Sequence, residues 1–288
     1  MTSNLILFTS RNVKVFFRDR TAVVFSMFAA LIVIALYFLF LGDTITASYE
    51  HIPGARTIVD SWAMAGLMAV VPVTASLGAL GIMIQDKISG AVRDLTVSPM
   101  RRYEIVGGYV LSTFIVCTAL SLLALTFAEA YIVYNGGSLL SSVQFAKVLG
   151  LVLLSVISSS AIMFVVALFI SSNNAYSAVS TIVGTMIGFL TGVFVPIGVL
   201  PSAVGTVVKM VPASHSASLF RQVMMEGPMM SMEGMPPEEM LEFELDMGVK
   251  FGFGDGLVTT EMSILILVAV TAAFFIFAVL MLSIKRKS

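Results

Sequence analysis

Residues Gln85 to Glu104 read QDKISGAVRDLTVSPMRRYE. This stretch holds acids, bases, a glycine and a proline between two long hydrophobic runs. Across the 288 residues 58% are hydrophobic and only 11% charged, whereas an ordinary soluble domain has about 25% charged residues. Several runs reach the roughly 20 apolar residues that a helix needs to cross about 30 Å of hydrocarbon, and none alternates as a barrel strand does. The expected fold class is therefore an all-α membrane protein, in which Gln85 to Glu104 is a polar island between two spans.

Working outward, six spans are expected: Ala22 to Leu41, Trp62 to Ile84, Ile105 to Tyr134, Phe145 to Ile170, Tyr176 to Leu200 and Met262 to Ile284. Before the first, Asn4 to Arg20 reads as an amphipathic helix lying in the headgroup plane. Arg11, Lys14 and Arg18 share one face, and Leu5, Ile6, Val13, Phe16 and Phe17 the other. The bases sort by side: Arg11, Lys14, Arg18 and Arg20 before the first span, Lys87, Arg93, Arg101 and Arg102 in the island, Lys285, Arg286 and Lys287 at the end. By the positive-inside rule both termini and the island are expected in the cytoplasm. The first run lacks a small-residue cleavage pattern and is expected to be retained.

The opposite side carries residues 201–261, in which nine acids (Glu226, Glu233, Glu238, Glu239, Glu242, Glu244, Asp246, Asp255, Glu261) face Lys209, Arg221 and Lys250. This reads as a small external insertion, with a helix opening at Pro236 and Pro237. The chain shows neither a tandem repeat nor a polar linker to a second domain, so one membrane domain, 1–288, is expected.

The sequence has no G-x-x-x-x-G-K-[ST] phosphate loop, so any ATP used must be bound by another chain. The two histidines, His51 and His215, are expected outside the spans and away from a buried serine or acid, which argues against an intramembrane hydrolase. The single Cys117 lies in an apolar run and can form neither an intrachain disulfide nor a cysteine metal cluster. The methionines at 224, 225, 229, 230, 232, 235, 240 and 247 are thioethers that can bind Cu(I), but with 19 methionines in the chain they read as apolar packing, and no metal is expected.

Glu129 is the one carboxylate inside an expected span, about 32 Å along its helix and near the outer boundary. It is a candidate pathway or pore-mouth acid. Pro72 is a second pathway candidate, where the second span can bend beside Gly78 and Gly81. Gly184, Gly188 and Gly192 recur every fourth residue in the fifth span and suit close helix packing or a dimer interface.

Within the island, Asp86, Lys87, Gly90, Val92, Arg93 and Leu95 suggest a short amphipathic helix that stops at Ser98 and Pro99, before Arg101, Arg102 and Glu104 lead into the third span. Both signs of charge and an apolar ridge suit docking to a partner surface. The run D-K-x-x-G-x-x-R-x-L-x-x-S-P-x-R-x-x-E-I-V resembles the pattern between the second and third spans of type 2 ATP-binding cassette (ABC) exporter permeases. Asp86 stands for the commoner Glu, Ala91 for Thr, and Tyr109 for the Lys that often follows the glycine aligned with Gly108. A second stretch, with Gly192, Phe194, Pro196, Ile197, Leu200 and Pro201, followed by Pro212 and Arg221, is similar to that family's exit from the fifth span.

The resemblance implies a permease subunit that exports amphipathic or lipidic compounds from a prokaryotic cell through its plasma membrane. Asp86 to Pro99 becomes the coupling helix, with Asp86, Lys87, Gly90, Arg93, Asp94, Leu95, Ser98, Pro99 and Arg101 meeting an ATPase subunit, and Asn4 to Arg20 the interfacial helix, through Arg11, Lys14, Phe17 and Arg18. It also implies two copies of a nucleotide-binding subunit, which hold ATP and Mg, and a second membrane subunit, identical or related. Nothing suggests nucleic acid as a partner. A sensing complex that carries no substrate is the other reading of the same parts.

Overall fold

The computed structural model describes residues 2–49, 52–232, 234–253 and 256–284. His51, Glu233, Asp255, Lys285, Arg286 and Lys287 lie outside the described residues. The described residues are mostly helical, with one two-stranded ribbon among them.

Helix α1 (Thr2–Arg18) ends where Asp19 caps α2 (Arg20–Leu36) by accepting from Ala22 N at 3.0 Å. A π turn (Tyr37–Leu41) and α3 (Gly42–Ser48) continue α2 without a break. Helix α4 (Ala55–Ile88) is the axis of the molecule, buried over most of its length and packed by α2, α6 (Arg102–Tyr134), α7 (Ser142–Phe169) and α8 (Asn173–Leu190). Several of its buried side chains, including Ala63, Ala65, Met64 and Met68, are small or flexible and let neighbours approach closely beside the bulkier Trp62, Ile58 and Leu67. Pro72 is buried inside this continuous helix, and Ser76 Oγ donates to the Pro72 carbonyl at 2.6 Å.

Among the described residues, five helical segments are long and apolar enough to cross a membrane: Ala30–Ser48, Ala55–Ile88, Arg102–Tyr134, Ser142–Phe169 and Thr260–Leu282. The expected fifth span is not among them. Helix α8 has 18 residues, opens on Asn173 and Asn174, and stops at Leu190, ten residues earlier than expected. Gly192, at φ 66°, turns the chain there and is therefore not on the helix. The glycines divide accordingly. Gly184 faces open space, a Cβ at Gly188 would overlap the Phe194 ring, and Gly192 makes the turn.

Beyond that turn come α9 (Ser202–Met210), α10 (Pro212–Met224), α11 (Glu226–Met229) and α12 (Pro237–Asp246). The ribbon β1 (Phe251–Phe253) and β2 (Gly256–Val258) pairs antiparallel with Phe251 opposite Val258, and α13 (Thr260–Ile284) closes the chain. The insertion is less external than its acids suggest. Helix α10 runs back between α4, α7 and α13, and its Ser214, His215, Ser216, Ala217 and Phe220 are buried.

Candidate functional site

The polar island divides into three parts. Asp86 and Lys87 belong to the last turns of α4, Gly90 breaks the helix at φ 85°, and α5 (Ala91–Val97) stands beyond it. Nothing lies within 4 Å of a Cβ added at Gly90, so glycine is needed there for its backbone conformation and not for space. The return is as defined: Ser98 Oγ donates to the Leu95 carbonyl at 2.6 Å, Pro99 follows, and Glu104 Oε2 accepts from Arg101 N at 2.7 Å to cap α6.

The Asp86 side chain points inward. Arg11 donates to it twice, Nη1 to Oδ2 at 2.7 Å and Nη2 to Oδ1 at 3.2 Å, and the Tyr109 hydroxyl donates to Oδ2 at 2.7 Å. Asp86 and Tyr109 are buried, whereas the Arg11 side chain stays 44% exposed. Such a two-pronged guanidinium–carboxylate contact has a fixed geometry. The hydrogen bond to Asp86 raises the Arg11 guanidinium above its ordinary pKa. Phe8 stacks edge-on to Tyr109 at 5.0 Å, and a Cβ at Gly108 would overlap the Phe8 ring. The node therefore ties α1, the end of α4 and the start of α6 into one unit at the base of α5.

Lys87 turns toward α7, donating to the carbonyls of Leu168 at 3.1 Å and Ile170 at 2.6 Å at that helix's C-terminus. Leu95 is half-buried against the core, as is Met100. Arg93, Asp94, Pro99 and Arg101 are exposed, and Val97 is 86% exposed. The island residues thus fall into an inner set that fastens the loop (Asp86, Lys87, Leu95, Ser98), Gly90, where the helix breaks, and an exposed outer set (Arg93, Asp94, Pro99, Arg101). On α1, Lys14, Phe17 and Arg18 are exposed, while Phe8, Asn12 and Phe16 are buried against the bundle.

Three residues here are not marked by the sequence pattern: Tyr109 is only a departure from the family lysine, Val97 is one apolar residue among many, and Arg11 has the spacing of a headgroup base and no visible acid. The i, i+3, i+4 spacing in α1 separates faces but does not reveal that one base reaches a carboxylate 75 positions away.

A second polar centre lies at the other end of α4. Arg221 is wholly buried, and donates from Nη2 to the carbonyls of Thr191 (3.0 Å) and Gly192 (2.9 Å) and from Nη1 to that of Gly248 (3.4 Å). Its guanidinium lies 4.9 Å from the Trp62 ring centre. Trp62 Nε1 donates to Met247 O at 2.6 Å, and the Tyr37 hydroxyl to Val193 O at 2.8 Å. This centre holds the turn that follows α8 against α4 and the π turn.

Carboxylates inside the spans are also more numerous than expected. Asp60 in α4 is fully buried and accepts from Arg56 Nε at 3.0 Å and from the Tyr131 hydroxyl at 3.4 Å; Arg56 also pairs with Asp43. The sequence reading missed Asp60 by starting the second span at Trp62. Glu129 sits five residues before the end of α6 and accepts from Leu140 N at 3.2 Å. Among the described residues no group of three His, Cys, Asp or Glu side chains is placed to hold a metal ion.

No curated protein matches the chain. The profile of a family described as ABC-2 family transporter protein matches residues 44–280, from α3 nearly to the end of α13. With the match covering most of its length, the chain belongs to the ABC-2 family and is a membrane (permease) subunit of an ABC transporter.

Proposed function

We propose that this subunit exports amphipathic or lipidic compounds, driven by a separate ATPase that docks on α5 and α1 from the cytoplasm. The observation that carries the reading is the Arg11–Asp86–Tyr109 node. A push on the exposed face of α5, at Arg93, Asp94 and Val97, passes through the Gly90 hinge to the end of α4 and through Pro99 to α6. The node makes those two helices and α1 move together. Because α4 is the axis of the bundle, its displacement reaches the other spans. Two nucleotide-binding subunits would hold ATP and Mg, and a second membrane subunit would complete the pathway between protomers, with the open face at Gly184 as one contact.

In this reading the bundle crosses the plasma membrane of a prokaryote six times, with α8 as the fifth crossing, shortened because the turn after Leu190 leads into α10. At about 1.5 Å per residue its 18 residues cover roughly 27 Å, nearly the hydrocarbon thickness. Both termini and α5 share the cytoplasmic side, where the bases of α1 and the island gather. The mostly apolar helix surfaces suit greasy cargo better than small ions. This chain itself catalyses no reaction.

The test is coupling in the reconstituted complex. Val97→Asp combined with Arg93→Glu is expected to abolish stimulation of the ATPase by the membrane subunit while membrane insertion stays normal. Unchanged stimulation would remove α5 from its role.

A further inference from the structure

A groove of about 970 Å³ opens where the end of α6 meets the start of α7, away from both polar centres. Its walls are hydrocarbon, from Leu122, Leu125, Val133, Leu139 and Phe145, and its acid is Glu129. One carboxylate oxygen accepts from Leu140 N at 3.2 Å; the other, Oε1, is buried with no hydrogen-bond partner. Among the described residues no base forms an ion pair with Glu129, and Lys147, early in α7, is paired with Glu226 at 3.8 Å.

A carboxylate half-buried among apolar side chains without a counter-ion is costly, so the arrangement favours a ligand that brings the missing cation. A bare metal ion needs several oxygen ligands, and the groove offers one carboxylate in an apolar wall. An ammonium group needs only that carboxylate, and the Tyr134 ring at the groove's rim adds a face for a cation. The walls suit an alkyl chain, and the volume is within the usual range for small-molecule sites.

We infer that this groove binds a single-chain amphiphilic cation, with the ammonium on Glu129 and the chain along Leu122, Leu125 and Phe145. Glu129 is then the specificity residue of a site formed within one subunit, separate from the coupling node. The inference does not depend on α5 docking an ATPase, because binding is measured without nucleotide or partner.

Native mass spectrometry of the full chain in a non-ionic detergent tests it, with hexadecylammonium, whose N–H groups can donate to the free Glu129 oxygen, as the probe and hexadecyl sulfate as the matched anion. The wild type is expected to retain the ammonium adduct and not the sulfate. Glu129→Gln should bind the ammonium roughly tenfold more weakly, and Glu129→Asp should recover part of the loss. Thr126→Lys, which puts a tethered ammonium one helical turn from Glu129, should also displace the probe and serves if Glu129→Gln fails to fold. Equal adducts on wild type, Glu129→Gln and Thr126→Lys would overturn the inference. So would equal binding of the sulfate, or a groove sealed by a second copy of the chain that admits neither probe.

Discussion

Two arginines hold opposite ends of α4, and they do it differently. Arg221 is fully buried, binds three backbone carbonyls and rests against Trp62. Arg11 is half in water and binds one side-chain carboxylate that a tyrosine also holds. Backbone carbonyls at a helix end cannot turn away, so the Arg221 centre is a fixed clamp on the chain reversal after α8. A side-chain pair open to solvent at one partner can shift or separate at modest cost. The molecule is therefore rigid where its insertion folds back and adjustable where α5 meets the outside.

The largest expected effect breaks the rigid end. Arg221→Met leaves the carbonyls of Thr191, Gly192 and Gly248 without their donor and should cost about 3–5 kcal/mol, as loss of a buried charged partner does. Thermal unfolding in detergent would register this as poor recovery of folded protein. Next comes Arg11→Ala, which should cost only about 1–2 kcal/mol after screening on the exposed side, yet remove most of the coupling to the ATPase. A folded Arg11→Ala subunit that stimulates the ATPase normally would erase the contrast.

Gly90→Ala sharpens it further. At φ 85° alanine is strained by about 1–2 kcal/mol, and with open space around the position the loss should fall on the orientation of α5 and not on packing. Partial coupling with near-normal melting is the expected result. The smallest effect is on pH. His215 in α10 accepts at Nδ1 from Ser263 Oγ at 3.3 Å and donates from Nε2 to Lys209 O at 2.9 Å, and burial lowers its pKa below the ordinary 6.5. The unfolded chain then binds more protons, so this stabilising contribution is present above about pH 6.5 and is lost as the pH falls below it. A lower melting temperature at pH 5 than at pH 7.5, which His215→Gln largely removes, is the expected reading.

The difference between the two ends also explains what was legible in the sequence. The helical fold, the polar island and the family followed from long apolar runs and from D-K-x-x-G…S-P-x-R, because these are local patterns in contiguous residues. The end of α8 did not, since Gly192 looks like the third member of a glycine stripe until its positive φ is known. Nor did the burial of α10, whose serines and His215 lower its apparent hydrophobicity while each finds a partner in a neighbouring element, as Ser214 does with Leu190 O at 2.5 Å and Ser218 with Val249 O at 2.6 Å. Asp60 was hidden for a similar reason: the second helix begins seven residues before its apolar run, on Arg56 and Asp60 that neutralise each other. Long-range pairing, of Arg11 with Asp86 or of Arg221 with the turn after α8, has no local signal at all.

The adjustable node carries the central claim, and a charge exchange tests it most directly. ATP-driven transport would be measured in vesicles containing the chain and a nucleotide-binding subunit, for Arg11→Asp, Asp86→Arg and the double exchange. Each single variant is expected to lose most transport by placing like charges together, and the double exchange to recover a large part of it by restoring the pair. Single variants that transport as the wild type does, or a double exchange no better than the worse single, would contradict the claim that Arg11 and Asp86 transmit motion from α5 to the bundle.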